Sequence, residues 1–392
     1  MTLYHIEPFV FKTHQRQQIV VKPLYRYLNF TKKNYSIFAK AMETQETTNI
    51  DAKVDNGCLA FEMMFGEEQE YKLILDDGRT FSIYCVDEDL YGRKPYKGDF
   101  HIHSCMSDGT EDPEFVAAAA RSIGMDFIAL TDHYQYEPSL QAIEILKEFK
   151  TDFLLLPGEE VHPPGNPIHI INFGGKYSIN KMITEIPMHS KGMADPVSQY
   201  KNVSELSESD KRHFSECQWC YNEIDNAGGI SLLCHPYWIT DEQYNVSKTL
   251  LECLLQNKKF TAFELLGGHT TESNNLQTAY YHQKQKEGLE IPIVGVSDAH
   301  GTFGHDYFGW TYTVLFSETL SLNEIKKSVE NYYSVAVEQK PGQEVRVYGN
   351  FRLVKYVLFL LREYFPAHDQ ECALEGASMF KYIKNNKEEE NQ

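Results

Sequence analysis

Positive charge is scarce in this chain. Its 392 residues hold 37 lysines and arginines against 56 aspartates and glutamates, a formal charge of -19. A nucleic-acid or anionic-membrane partner needs a basic face to release counterions or meet headgroups, so neither is expected. Cysteine is sparse as well. Eight cysteines without framework spacing exclude a disulfide scaffold and suit a reducing cytoplasm. Asn-X-Ser/Thr matches such as Asn202-Val203-Ser204 then carry no glycan. Long apolar runs are missing too. The run Tyr356–Leu361 falls far short of the roughly 20 residues that cross a bilayer. The start, Met1 to Phe11 with His5 and Glu7, lacks the basic head and apolar core of a secretory signal. A cytoplasmic location is the expectation, and nothing specifies an oligomer. What is present is apolar mass: 42% hydrophobic and 13% aromatic residues, enough for two domains or a barrel with an appendage.

Residues 1–95 read as a small antiparallel, sandwich-like all-β domain. The segments His5–Phe11, Gln18–Leu24, Leu59–Phe65, Tyr71–Leu75 and Thr80–Val86 are apolar, β-branched or aromatic. Turn signals such as Asp55-Asn56-Gly57 and Asp76-Asp77-Gly78 separate them. From residue 96 to 392 the pattern changes to short apolar strands alternating with helices, an α/β architecture. Strands are expected to end in His101–His103, Phe127–Leu130, Phe153–Leu156, Ile168–Asn172, Ile230–Cys234, Phe260–Leu265 and Ile293–Val296. The first helix has Asp112 to cap it, Pro113 at its first position and Gly124 to close it. The connection 176–222 is long for a barrel, which predicts a lid or a wall of the site. A helical extension ends the chain, with a charged tail from Asn385.

Twelve of the 15 histidines lie between His101 and His305. In His101-Ile102-His103 the period of two points both imidazoles to one side of a strand. Asp108, Thr131-Asp132-His133, Gly158-Glu159-Glu160, His169, Cys234-His235-Pro236 and Ser297-Asp298-Ala299-His300 follow. All except His169 fall at or just past the C-terminal end of an expected strand, the rim where parallel barrels build active sites. Each alone has an ordinary structural explanation, since a strand-end histidine is commonly a packed residue and an aspartate a helix cap. Nine such groups at successive strand ends point instead to metal. Imidazole mixed with carboxylate suits Zn, Mn or Fe rather than calcium, and no cysteine is needed, which points to a catalytic site.

These motifs, with Gly98-Asp99-Phe100-His101-Ile102-His103 leading, resemble the PHP (polymerase and histidinol phosphatase) metallohydrolase family over about residues 96–305. The leading β domain resembles the CehA/McbA branch. The resemblance implies a distorted (β/α)7 barrel and a site of two or three divalent metals. It implies His101, His103 and Asp298 on one metal, Glu160 bridging to a second held by His169 and His235, and Asp108, His133 and His300 on a third. Glu160 fits the Gly-X-Glu pattern from Gly158, so Glu159 points away. Asp132 and Glu264 are candidates to orient a ligand imidazole or relay a proton; for Glu264 a strand-end carboxylate facing a cation on a nearby helix is the equal alternative. His269 and His305, in glycine-bearing loops, are candidate substrate contacts. The implied activity is hydrolysis of a small or nucleotide-like phosphate ester by a metal-bridging hydroxide. Alternatives are a carboxylic or carbamic ester or amide hydrolase, a nuclease, which the acidity disfavours, and a non-catalytic metal-binding scaffold, which predicts missing ligands.

Other signals carry less. Cys217 and Cys220 have redox spacing but no second pair, and read as two thiols on one helix. Arg93, Lys94 and Lys97 precede the first strand and could meet a substrate anion, although such residues are more often solvated, and Tyr307-Phe308-Gly309-Trp310 reads as packing against barrel helices rather than stacking on a base.

Overall fold

A computed structural model describes residues 3–185, 200–268, 270–304 and 307–390. The chain divides into two compact units, Met1–Lys94 with Phe351–Gln370, and Pro95–Asn350 with Glu371–Gln392.

The first unit is built on eight strands, β1 (Tyr4–Glu7), β2 (Val10–Lys12), β3 (Arg16–Pro23), β4 (Asn34–Ala41), β5 (Thr47–Asp55), β6 (Cys58–Met64), β7 (Glu70–Leu75) and β8 (Thr80–Val86), followed by the short helix α1 (Glu88–Tyr91). They hydrogen-bond in the order β1-β3-β6-β5-β4-β7-β8-β2. Neighbours run antiparallel except β2 and β8, which are parallel. Strand β4, Asn-Tyr-Ser-Ile-Phe-Ala-Lys-Ala, buries every second residue, as a sheet with one face on a core requires. Phe11, Ile19, Val21, Ile37, Leu59 and Ile83 meet in that core. The helix Phe351–Glu363 joins this unit, with the Tyr356 ring stacked on Tyr84 at 4.7 Å.

The second unit starts with β9 (Lys94–Asp99). It continues through α2 (Pro113–Ser122), β10 (Phe127–Ala129), α3 (Glu137–Leu146), β11 (Leu154–Leu156), β12 (Gly158–Val161), β13 (Ile170–Phe173), α4 (Ile179–Glu185) and α5 (Glu208–Asn226). Then come β14 (Ile230–Leu233), β15 (Ile239–Thr240), β16 (Gln243–Tyr244), α6 (Lys248–Gln256), β17 (Ala262–Leu266), α7 (Thr271–Lys286) and β18 (Ile293–Gly295). The chain closes with β19 (Thr311–Ser317), α8 (Leu322–Glu330), β20 (Ser334–Glu338) and β21 (Arg346–Tyr348), and the helix Phe365–Glu390 passes from the first unit into this one at Glu371. Two main sheets form, β11-β10-β9-β19-β20-β21 and β12-β13-β14-β17-β18. The isolated bridges Ile102↔Ala299 and His133↔Glu160 link their strand ends.

The sheets are mixed, not uniformly parallel. Strand β13 runs antiparallel to β12 and β14, while β9–β10, β10–β11, β14–β17 and β17–β18 are parallel. No helix separates β12 from β13, so a strict strand–helix alternation does not hold there.

Two local expectations change. Asp112 occupies the cap position of α2 without a capping hydrogen bond; its carboxylate instead meets Lys387 and accepts from the Cys105 thiol. Gly124 does close that helix, with φ +95° and its N–H donated to Arg121 O. In the 176–222 connection, helix α5 starts at Glu208, capped by the Ser207 side chain. It buries Phe214, Cys217, Cys220, Tyr221 and Ile224, so this half is core rather than a lid. Residues 186–199 lie outside the described residues. Gly309 comes against Ile123 at the end of α2, and the Tyr307 and Trp310 rings beside it meet edge to face at 5.7 Å.

Candidate metal centre

Strand pairing brings the first expected ligands together. Asp99 Oδ1 accepts the N–H groups of both His101 (3.1 Å) and Ser297 (3.0 Å). Beyond it, Asp298 N–H donates to His101 O at 2.8 Å and His103 N–H to Ala299 O at 2.9 Å. The ends of β9 and β18 are thereby zipped, and His101, His103 and Asp298 project into one buried space. Burial pushes the Asp99 carboxyl up to about 6. Asp298 takes φ +49°, a conformation uncommon outside glycine.

His101 Nε2, His103 Nε2 and Asp298 Oδ1 lie 3.0 to 3.1 Å from one another. Glu160 Oε2 is 3.4 and 3.6 Å from the two imidazoles. Metal–nitrogen bonds of about 2.0–2.1 Å put ligand atoms on one ion roughly 3.0–3.4 Å apart, so this set has the spacing of a coordination shell.

Glu160 is the hub. It is fully buried and lies within 3.6 Å of six imidazoles, those of His101, His103, His133, His162, His169 and His235. Neither of its oxygens has a hydrogen-bond partner of acceptable geometry, a costly state for a buried carboxylate. Its Oε1 faces His169 Nδ1 (2.9 Å) and His235 Nε2 (3.5 Å). A third group is open to solvent: Asp108, its side chain 56% exposed, meets His133 Nε2 at 3.4 Å and His300 Nε2 at 3.3 Å. All nine expected ligands therefore converge. Asp108, Glu160 and Glu264 form ion pairs only with imidazoles among the described residues.

His169 precedes β13, at the wrong end for a parallel strand. Because β13 is antiparallel, its N-terminal end shares the rim with the C-terminal ends of the others.

The charges are tightly linked. Burial alone would depress His101, but the Asp298 and Glu160 carboxylates overcome it and lift its pKa well above the histidine range. Burial would raise Glu160, yet His101 and His169 hold it well below the carboxylate range. His103 is lowered by burial against the pull of Asp298. His133 is raised by Glu160 despite burial.

The supporting residues divide the work. His101 Nδ1 donates to Glu264 Oε2 at 3.1 Å, which turns Nε2 towards the cluster; Glu264 thus orients an imidazole and, among the described residues, forms its ion pair with His101. Asp132 forms no ion pair with an imidazole among the described residues. Its carboxylate accepts from Ser104 N (2.9 Å) and Oγ (2.8 Å) and from Ser107 N (3.2 Å) and Oγ (2.6 Å), which fixes the loop leading to Asp108. Glu159 points away, as expected, but into hydrogen bonds with Asn172, Ser178, Ile179 N and Asn180 rather than a salt bridge. Helix α4 thereby backs the site. His269 and His305 lie outside the described residues.

Two donors escaped the sequence reading. His162, nearly buried, sits with Nε2 2.9 Å from His133 Nδ1 and 3.5 Å from Glu160 Oε2, and burial pushes it down to about 4. It follows Glu160 by two residues, the same alternation that pairs His101 with His103. Cys234, also buried, groups with His101 and His235.

The PHP domain family model matches residues 99–226 of the chain. His235, Glu264, Asp298 and His300 lie beyond that match. No curated protein matches. Among solved structures, the chain is similar to a two-domain protein containing a predicted PHP-like metal-dependent phosphoesterase from Bacteroides vulgatus, at 21% identity and TM-score 0.46, covering 64% of this chain and 66% of that one. A protein described as a metal-dependent phosphoesterase from Bifidobacterium adolescentis is similar at 18% identity and TM-score 0.37, over 54% of this chain and 90% of that one. An amidohydrolase from Chromobacterium violaceum with bound sulfate and no metal is similar at 18% identity and TM-score 0.36, over 54% and 90%.

Proposed function

We propose that the chain is a metal-dependent hydrolase, a phosphoesterase acting on a small or nucleotide-like phosphate ester. The observation that carries this is Glu160, a fully buried carboxylate enclosed by imidazoles, neither of whose oxygens finds a hydrogen-bond partner of acceptable geometry. Such a group is expensive unless a cation satisfies it. The donor set fits two or three Zn, Mn or Fe ions, with the ligands grouped as the PHP resemblance implies. His162 and Cys234 are additional donors at the edges of those groups.

Divalent ions held there would lower the pKa of a bound water and polarise the ester oxygens. The chain's own residues supply the rest. Glu264 fixes the tautomer of His101. His300 Nδ1 donates to Asp298 O at 2.9 Å, leaving Nε2 for the Asp108 side. Asp132 holds the 104–107 loop in register. The exposure of Asp108 and His300, 56% and 36%, marks the open side by which substrate enters.

A carboxylic or carbamic ester or amide hydrolase is the second reading. It needs the same donor set, with the activated water attacking a carbonyl carbon instead of phosphorus. We place the protein with the CehA/McbA branch, in the cytoplasm, without a nucleic-acid partner. No helix among the described residues is long and apolar enough to cross a membrane.

The test is hydrolysis of p-nitrophenyl phosphate, bis-p-nitrophenyl phosphate and p-nitrophenyl acetate by the manganese- or zinc-loaded protein. Phosphate-ester turnover that vanishes in a folded Glu160→Ala variant is the expected result. Turnover of the acetate alone selects the second reading, and full activity in Glu160→Ala overturns both.

A further inference from the structure

One side of the centre is a continuous row of rings. Tyr134 lies on His162, with centroids 4.5 Å apart and planes at 35°. His162 meets His169 at 4.0 Å, and His169 meets Trp238 at 5.6 Å. Trp238 also stands 5.7 Å from His235. The inner members are bound into the cluster, but Tyr134 is 64% exposed. Its φ of +61° is an outlier for a bulky side chain. The conformation is imposed by the neighbouring bridge His133↔Glu160 and by the Tyr134 N–H, which donates to Glu160 O at 3.1 Å. At the other end Trp238 is half-buried and held from two sides: its N–H donates to His235 O at 3.0 Å, and its carbonyl accepts from Asn245 N at 2.7 Å. Asn245 is itself anchored, through its side chain, to Pro167 O at 2.5 Å. Both terminal rings are thus fixed by the backbone that carries the ligands.

A strained, exposed ring beside reacting groups is more informative than an exposed ring elsewhere, because such strain persists where the surrounding structure fixes it and clusters at functional sites. An aromatic face recognises a planar π-system by stacking, without a charged partner.

We propose that Tyr134 and Trp238, with His162 and His169 between them, form a stacking wall that selects substrates bearing an aryl or heteroaryl group next to the scissile ester. This rests on the hydrolase reading above and names its substrate class. Tyr134 contacts the substrate ring, and His162 keeps the Tyr134 ring in place.

Equilibrium binding of two phosphonates to the manganese-loaded protein tests it, because phenylphosphonate and methylphosphonate share the anionic head and differ in the ring. The wild-type protein should bind phenylphosphonate about ten-fold more tightly, a typical return for one stacked ring. Tyr134→Phe should keep that ratio. Tyr134→Ala should bring it close to one, with methylphosphonate affinity and metal content unchanged. Trp238→Phe should keep most of the ratio and Trp238→Ala lower it. Equal affinities in the wild-type protein would overturn the inference and leave the hydrolase reading standing. An equal loss of both ligands in Tyr134→Ala would also overturn it, since Tyr134 would then only hold the centre together. Failure of both phosphonates to bind the metal-loaded wild-type protein would count against the phosphoesterase reading and the stacking wall together.

Discussion

Removing the Glu264 carboxylate should weaken metal binding far more than it weakens the fold. Glu264 is fully buried, and its Oε2 accepts from His101 Nδ1 at 3.1 Å while Oε1 has no hydrogen-bond partner. In Glu264→Ala the His101 Nδ1–H loses its acceptor and the ring loses its fixed tautomer. A hydrogen bond to a charged group contributes about 1.5–3 kcal/mol, which corresponds to roughly 10–100-fold in metal affinity, the range found when carboxylates behind histidine ligands are removed. The metal-free fold should suffer less, because the substitution also removes a buried carboxylate with one unsatisfied oxygen. Calorimetric titration with manganese or zinc measures the first effect, and thermal melting with and without metal measures the second. Unchanged metal affinity would refute the orienting role. An equal loss of melting temperature in both states would make Glu264 a packing residue.

Other substitutions probe the same geometry. A Cβ at Gly267 would come 2.2 Å from Glu264 Oε1, so Gly267→Ala should displace that carboxylate and cost metal affinity in the same direction, read by the same titration. Asp132→Ala removes the acceptor of four hydrogen bonds from Ser104 and Ser107. It should loosen the loop carrying Asp108, speeding amide exchange there and lowering turnover by at least ten-fold, of the order expected when a catalytic group is misplaced. Metal affinity should rise with pH. The His101 pKa is lifted, so its proton is held at neutral pH and must leave before metal binds; proton release on titration, growing as pH falls towards neutrality from the alkaline side, checks the sign.

Much of the centre was legible because its residues sit where short apolar strands end, and strand ends are readable from composition. His101, His103, His133, His235, Asp298 and His300 follow from that rule alone. His169 did not fit it, since the antiparallel direction of β13 is set by partner strands far away in sequence. His162 was legible in principle, two residues past Glu160, but a single histidine after a chosen ligand carries no signal of its own. Asp132 stands in the right motif yet turns to Ser104 and Ser107, a choice made by loop geometry. In the β unit, β4 and β5 were missed because their exposed faces carry Asn34, Ser36, Lys40, Asn49, Asp51 and Lys53, which dilute the apolar signal. The packing of Tyr356 on Tyr84 joins residues so distant that no local pattern records it.

The most direct test is the metal content of the purified protein, wild type beside Glu160→Ala. The account predicts at least two tightly bound divalent ions per wild-type chain, reduced in a Glu160→Ala variant that remains folded. A wild-type protein that binds no divalent ion after reconstitution with zinc, manganese or iron, or a variant that keeps the full complement, would contradict it.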